Sequence, residues 1–432
     1  MRRYDLAGVG IGPFNLSLAA LADPLDLDVV LFDVRPEFRW HPGMLVDGAT
    51  LQVPFLADLV SLADPTSRYS FLNYLRERGR LLPFYFAERS HMPRAEYDDY
   101  ARWAAERLPS CRFGHEVTGL RWRPDEEAFE LTVTGTEPVL ATAVVLGVGT
   151  VPSVPEPLQG LVNDPDVLAA HSAGYLAHRA ELLAADRVAV VGSGQSGAEV
   201  FLDLLRSRST VDGLRWLART PAFAPMEYSK LGLEQFTPDY TEFFHRLPGS
   251  VRDGLLPAQW QLYRGIDAET IGEIHNELYR RSIGDGWPRA VLTPGVEVTS
   301  ATADAEGILL HLRHVQQGST AKYRTSAVVA ATGYTETPLG PLLSGLGEAV
   351  RRDEQRRLII DADYRVQLNE PVRGSLYVQN AERHTHGPGA PDLGLGAWRA
   401  ASILNSVCGK PVYELPERTA FTTFGLHETE DQ

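Results

Sequence analysis

The sequence predicts an α/β fold made of two parallel-sheet units and a smaller, mostly helical insertion. Three observations predict it. An apolar strand, a glycine turn and a helix follow one another in residues 4–21 (YDLAGVGIGPFNLSLAAL), and again in residues 188–207 (VAVVGSGQSGAEVFLDLLRS). Each run leads on to another apolar strand, LDVVLF and LRWLA, which is the order of a βαβ nucleotide-binding unit. Residues 225–290 then break the β/α rhythm with aromatic, helix-forming segments such as TEFFHRL and AETIGEIHNELYRRS. The expected architecture is therefore two Rossmann-like dinucleotide-binding units around a helical piece.

In the first unit Gly8, Gly10 and Gly12 make the turn, and Pro13 stands where the third fingerprint glycine would be. Proline suits the first position of the following helix. The next strand ends on Asp33, at the distance where an acid meets ribose hydroxyls, so this unit reads as an FAD site. In the second unit Gly192, Gly194 and Gly197 form an intact G-x-G-x-x-G, with Gln195 and Ser196 at the turn. The first glycine permits the tight turn, the second lets a pyrophosphate approach the backbone, and the third lets helix and strand pack closely. Its second strand carries Arg215 and ends at Arg219 with no carboxylate at the tip. Arginine suits a 2′-phosphate that an acid would repel, so this unit reads as an NADPH site.

Between the units lie a loop-rich stretch (residues 40–63), two helical segments (69–78 and 94–107) and a β-rich piece (117–134). Two apolar strands ending in small-residue turns, VLATAVVLGVG (139–149) and SAVVAATGY (326–334), return the chain to its sheets. The expected map is nested: residues 1–180 and 337–432 form the FAD part, 181–224 and 291–336 the NADPH part, and 225–290 a substrate-binding insertion. In the insertion Ile271, Ile274, Leu278 and Tyr279 fall at helical spacing.

A chain of 432 residues has room for several domains, and 44% hydrophobic with 22% charged residues is ordinary globular composition. A formal charge of −15 argues against nucleic acid and anionic membranes as partners. There is no apolar run long enough for a membrane span and no leader-like start, so a cytoplasmic protein is expected. Only Cys111 and Cys408 occur, far apart, which excludes a disulfide framework, a redox C-x-x-C and a zinc pair.

Longer motifs then accumulate: GVGIGPFNL (8–16), FRWHPGM (38–44), LQVPFLADLVSLADPTSRYSFLNYL (51–75), VVGSGQSGAE, EYSKLGLEQFTPDY (227–240), ATGY and HTHGPGAPDLGLGAWRAASILN (384–405). Through these the chain resembles the microbial flavin-dependent N-hydroxylating monooxygenases, which hydroxylate the terminal amine of lysine, ornithine or diamines for siderophore synthesis. The resemblance runs along nearly the whole chain. It implies that NADPH reduces FAD, that O2 adds to give a C4a-hydroperoxyflavin guarded by retained NADP⁺, and that the unprotonated amine attacks the distal oxygen. No side chain need serve as nucleophile, because the cofactor carries the difficult chemistry. It also implies that Gln52 approaches the flavin, with Trp40 and His41 in the same flavin-facing loop and Leu393 beside it. Arg94 is implied to contact the nicotinamide cofactor. The family further implies a homo-oligomer, dimer or tetramer.

Departures from the family pattern narrow the substrate. Amino-acid hydroxylases carry a lysine in F-x-K-D-L that pairs with the substrate α-carboxylate; here the segment is Phe55-Leu56-Ala57-Asp58-Leu59. Burying an unpaired carboxylate there would cost on the order of several kcal/mol. Leu233 replaces an asparagine and Gly394 a serine. With Glu227 and Lys230 nearby in sequence, these positions imply a substrate site stripped of amino-acid-backbone contacts. An aliphatic diamine such as cadaverine or putrescine fits it, with Glu227, Glu234 or Asp239 as acceptor for the far ammonium. L-lysine or L-ornithine hydroxylation is the alternative, and a non-enzymatic flavin redox or sensor protein is the alternative of another class. A flavin disulfide reductase lacks its cysteine pair here, and the motifs of Baeyer–Villiger or sulfur oxygenases are absent.

Overall fold

The computed structural model describes residues 1–284 and 286–426. Its first sheet has seven strands. Cys111–Phe113, Val29–Asp33, Arg3–Val9 and Val139–Leu146 lie parallel in that order, extended by the antiparallel strands Ala128–Val133 and Val117–Arg123. The seventh, Ser375–Val378, pairs parallel with Val139–Leu146, so the chain leaves this sheet and rejoins it from near its C-terminus. The helix Pro13–Ala22 is apolar nearly all round because it is sandwiched between the sheet and the helix Gly396–Cys408. Leu16, Leu18 and Leu21 are fully buried there, each worth about 1.5–3 kcal/mol of apolar transfer.

The second sheet has five parallel strands in the order Ala169–His171, Ala327–Ala330, Val188–Val191, Leu214–Ala218 and Val291–Pro294. It starts at Ala169, ahead of the boundary at 181 expected from sequence, because its first strand is only three residues long and too short to show a pattern. An antiparallel meander, Val296–Asp304, Gly307–His314 and Thr320–Thr325, covers one face through Ile308 and Leu310. On the other face lies the helix Gln195–Ser207, and against it the longest insertion helix, Ala268–Ser282. Ile274 is buried and Ile271 and Leu278 pack beside it, but Tyr279 is exposed. One residue beyond Leu278 the helix has turned about 100° off the buried stripe.

The stretch SAVVAATGY is two strands rather than one. The first ends at Ala330, Gly333 takes φ +85°, and Tyr334–Glu336 pairs antiparallel with Thr150–Pro152. The two small-residue turns therefore meet, and this two-stranded crossing ties the sheets together. A helix absent from the sequence reading, Leu81–Ala87, buries none of its residues. Among the described residues no helix is long and apolar enough to cross a membrane.

Candidate active site

The first turn is a cradle with one open side. Gly10 has φ +86°, and a Cβ there would meet the Gly147 carbonyl oxygen at 2.4 Å. Gly12 caps the helix that begins at Pro13, and a Cβ on it would touch nothing within 4 Å. Backbone N–H groups at a helix start with open space before them fit a pyrophosphate. The buried Asn15 amide clamps the turn by donating to the Gly10 and Val9 carbonyls, at 2.7 and 3.2 Å, and accepts from Gln379 Nε2 at 2.8 Å.

Asp33 sits at the strand end as expected, but it is already engaged. Its oxygens accept from the Ile11 N–H at 2.7 Å and from the Arg35 N–H, Nε and Nη2 at 2.8, 2.9 and 2.7 Å. Burial alone would raise this carboxyl; the Arg35 bonds and the Ile11 amide outweigh it and hold it below the usual range. A ribose hydroxyl would have to take the place of one Arg35 bond.

The second turn is tighter. Gly192 has φ +139°, and a Cβ there would come within 2.0 Å of the Ala331 carbonyl oxygen. A Cβ on Gly197 would meet the Gly192 carbonyl at 2.6 Å, the close helix–strand approach assigned to that glycine. Gly194 caps the helix, and its nearest neighbour would be Arg264 O at 3.6 Å, so the phosphate side is open. The Trp216 indole N–H donates to the Gly192 carbonyl at 2.6 Å, a buttress no motif revealed. The two arginines separate: Arg215 lies over the Tyr323 ring at 4.0 Å, whereas Arg219 is exposed at the strand tip. Ser196, half-buried, follows Gln195 in the first turn of the helix.

Between the turns a polar and aromatic wall joins the two units. Gln52 stands on the strand Thr50–Pro54, and its buried Nε2 has no hydrogen-bond partner, as expected of an amide awaiting a ligand acceptor. His41, at φ 47°, packs edge-on against Trp40 at 5.0 Å and Tyr334 at 5.4 Å; Tyr334 in turn meets His171 at 5.2 Å. His41 is solvent-exposed, while protein crowds the rest of its ring. That enclosure, with Arg94 and Arg35 close by, lowers it to about 4, so it is a neutral imidazole at physiological pH. Arg94 Nη1 donates to Glu199 Oε2 at 2.7 Å, and the Tyr334 hydroxyl is buried without a partner.

The expected substrate residues divide. Ala57 is 5% exposed, in a turn closed by its own N–H on Pro54 O at 2.9 Å and by the Asp58 carboxylate, which accepts from Val60, Ser61 and Phe71. Gly394 lies two residues after Asp392, whose Oδ1 accepts from the Gly394 N–H at 2.6 Å; a Cβ on Gly394 would come within 2.7 Å of that oxygen, so a side chain there would require the Asp392 carboxylate to shift. Leu393 packs against the first core on the same short helix, Leu393–Leu395. Lys230 and Leu233, at the two ends of the helix Lys230–Leu233, are both exposed, and Glu227 is exposed and accepts from the Ser229 N–H at 2.5 Å. Two of the three acids considered for the far ammonium are otherwise committed. Glu234 accepts from the Phe421 and Thr422 N–H groups, and Asp239 from Thr419 and Ala420, so both pin the C-terminal segment. An acid not considered, Asp392, lies in enclosed surroundings that raise its carboxyl. Beside it the Tyr228 hydroxyl is buried without a partner and raised by burial and by Asp267 and Asp392. Two shallow surface clefts, of about 280 and 390 Å³, border the first sheet's outer edge, and neither is lined by a residue of either glycine turn.

The family model for L-lysine 6-monooxygenase/L-ornithine 5-monooxygenase matches residues 2–336. The chain belongs to this family. Putrescine N-hydroxylase of Shewanella oneidensis is 40% identical over 428 residues, 98% of this chain and 84% of that protein. The FAD-bound crystal structure of the cadaverine monooxygenase of desferrioxamine biosynthesis from Erwinia amylovora has a TM-score of 0.92 at 36% identity and covers 99% of both chains. An ornithine N-hydroxylase from Kutzneria sp. 744, solved with reduced FAD, NADP⁺ and L-ornithine, has a TM-score of 0.87 at 28% identity, covering 94% of this chain and 99% of its own. In this N-monooxygenase family two dinucleotide sites and one amine site are the chemistry the architecture must serve.

Proposed function

We propose that this protein is an FAD- and NADPH-dependent N-monooxygenase that hydroxylates one terminal amine of an aliphatic diamine, cadaverine or putrescine, with O2 as co-substrate. The observation that carries the diamine reading is Ala57, a buried, uncharged side chain where an amino-acid substrate would need a cation. The open sides of Gly12 and Gly194, the orphaned Gln52 amide and the exposed Arg219 fit FAD at the first turn and NADPH at the second. Bound flavin, reduced by NADPH, supplies the oxygen-transfer chemistry. The protein's share is placement: neutral His41 and Gln52 offer hydrogen bonds without adding charge, and the packed rings of Trp40, His41 and Tyr334 hold the junction of the two sites in place. The product, an N-hydroxydiamine, suits hydroxamate siderophore synthesis, and a cytoplasmic location goes with its need for NADPH.

The test is hydroxylamine formed per NADPH oxidised with cadaverine, putrescine, 1,3-diaminopropane, L-lysine and L-ornithine. Turnover confined to diamines is expected. Comparable kcat/KM with lysine or ornithine would move the protein to the amino-acid branch, and NADPH oxidation without hydroxylamine from any amine would make it a redox module.

We infer as well that the chain works as a homo-oligomer, as the family resemblance implies. The helix Leu81–Ala87 supports this by exposing Leu82, Tyr85 and Phe86 side by side, a patch that associating surfaces cover. Phe86→Asp is expected to lower the mass seen by light scattering while leaving flavin content unchanged; an unchanged mass would place the interface elsewhere.

A further inference from the structure

The pair Arg94–Glu199 joins residues 105 positions apart, at the start of the helix Arg94–Arg107 and inside the second-turn helix Gln195–Ser207. Glu199 is 5% exposed at its side chain and both of its oxygens are used. Oε2 accepts from Arg94 at 2.7 Å, and Oε1 accepts from Gln195 Nε2 at 2.8 Å. Gln195 is the residue that follows Gly194. Its Oε1 accepts from the Asp267 N–H at 2.7 Å, and its Nε2 also reaches Thr270 Oγ1 at 3.1 Å. Asp267 caps the long insertion helix. One carboxylate therefore connects the first unit, the second glycine turn and the insertion.

Arg94 is only partly consumed by this pair. Its Nε is buried with no partner, so the guanidinium keeps donors to offer to a ligand. A single buried carboxylate fixes where those donors point, because an unpaired guanidinium in this place would be free to rotate about its stem. We propose that Glu199 is a positioning residue for the nicotinamide cofactor, aiming Arg94 at it from the first unit while anchoring Gln195 of the second turn to the insertion. Cofactor recognition and the seating of the insertion helix on the second turn then depend on the same carboxylate. The proposal rests on the reading of the second turn as the NADPH site.

The test is NADP⁺ binding by isothermal titration to FAD-loaded protein for wild type, Glu199→Gln, Arg94→Gln and the double variant. Each single variant is expected to weaken NADP⁺ by roughly tenfold, and the double variant to be no weaker than Arg94→Gln alone, the non-additivity of two residues acting as one unit. Each single variant leaves a buried charge without its partner and should lower the melting temperature, so affinity is compared at temperatures where FAD content equals that of wild type, which separates positioning from loss of fold. Glu199→Asp should restore part of the affinity. Unchanged affinity in Glu199→Gln would overturn the proposal alone, as would a double variant whose loss is the product of the single losses. Failure of the wild-type protein to bind NADP⁺ would overturn the NADPH reading and this proposal together.

Discussion

Ala57→Lys should lower kcat/KM for cadaverine by on the order of a hundredfold, the effect of setting a like charge in a desolvated site against a cationic substrate. The side chain at 57 is buried, enclosed by the turn from Pro54 and by the Asp58 bonds that fix residues 58–61, so a lysine there carries its ammonium into confined surroundings. No carboxylate of the turn is free to receive it, since Asp58 already accepts four bonds. The same ammonium would supply the counter-ion that an α-carboxylate lacks in the wild type. L-lysine turnover should therefore rise as diamine turnover falls. Steady-state hydroxylamine assays with both substrates, alongside flavin content as a check of folding, decide it. Diamine kinetics within twofold of wild type would mean that position 57 does not face the substrate.

Features that one backbone position imposes on one residue type were readable from the chain. Gly10 and Gly192 occupy left-handed or crowded conformations that only glycine fits, and so both turns stood out. Positions whose meaning lies in a distant partner were not. Glu199 carries no signal in the sequence, because its partner Arg94 lies 105 residues away. Glu234 and Asp239 looked like free carboxylates until the segment at 419–422 folded back onto them. Asp33 shows both sides: its place at the strand end follows from the βαβ pattern, but its saturation by Arg35 depends on a side chain curling back across the turn. The strand Ala169–His171 and the helix Leu81–Ala87 escaped for a simpler reason. One is too short for a period, and the other turns only Phe84 toward the core, too little to produce one.

Arg399→Met should cost about 3–5 kcal/mol of stability and most of the bound flavin, because it strands a buried carboxylate. Arg399 and Glu382 have side chains only 1% and 0% exposed and lie 2.8 Å apart. The guanidinium also donates to the Ala390 carbonyl at 2.7 Å and lies over the rings of Phe14, at 4.7 Å, and Tyr364, at 5.5 Å. Phe14 lies in the first turn of the helix that begins at Pro13, and Ala390 belongs to the loop that leads to Leu393 and Gly394. One cation thus braces both sides of the expected flavin site. The loss should depend on pH with a definite sign. Burial already raises the Glu382 carboxyl, and Arg399 opposes that rise. Without Arg399 the folded-state pKa climbs further above the unfolded value, so the native variant binds a proton that its unfolded chain does not. Its stability then falls as pH rises through the folded pKa. Urea unfolding of flavin-loaded protein at pH 6 and pH 8 should show the larger deficit at pH 8, and Glu382→Gln added to Arg399→Met should recover part of it. Equal deficits at both values would mean that Glu382 stays ionised by finding another partner, and that its charge is not what Arg399 neutralises.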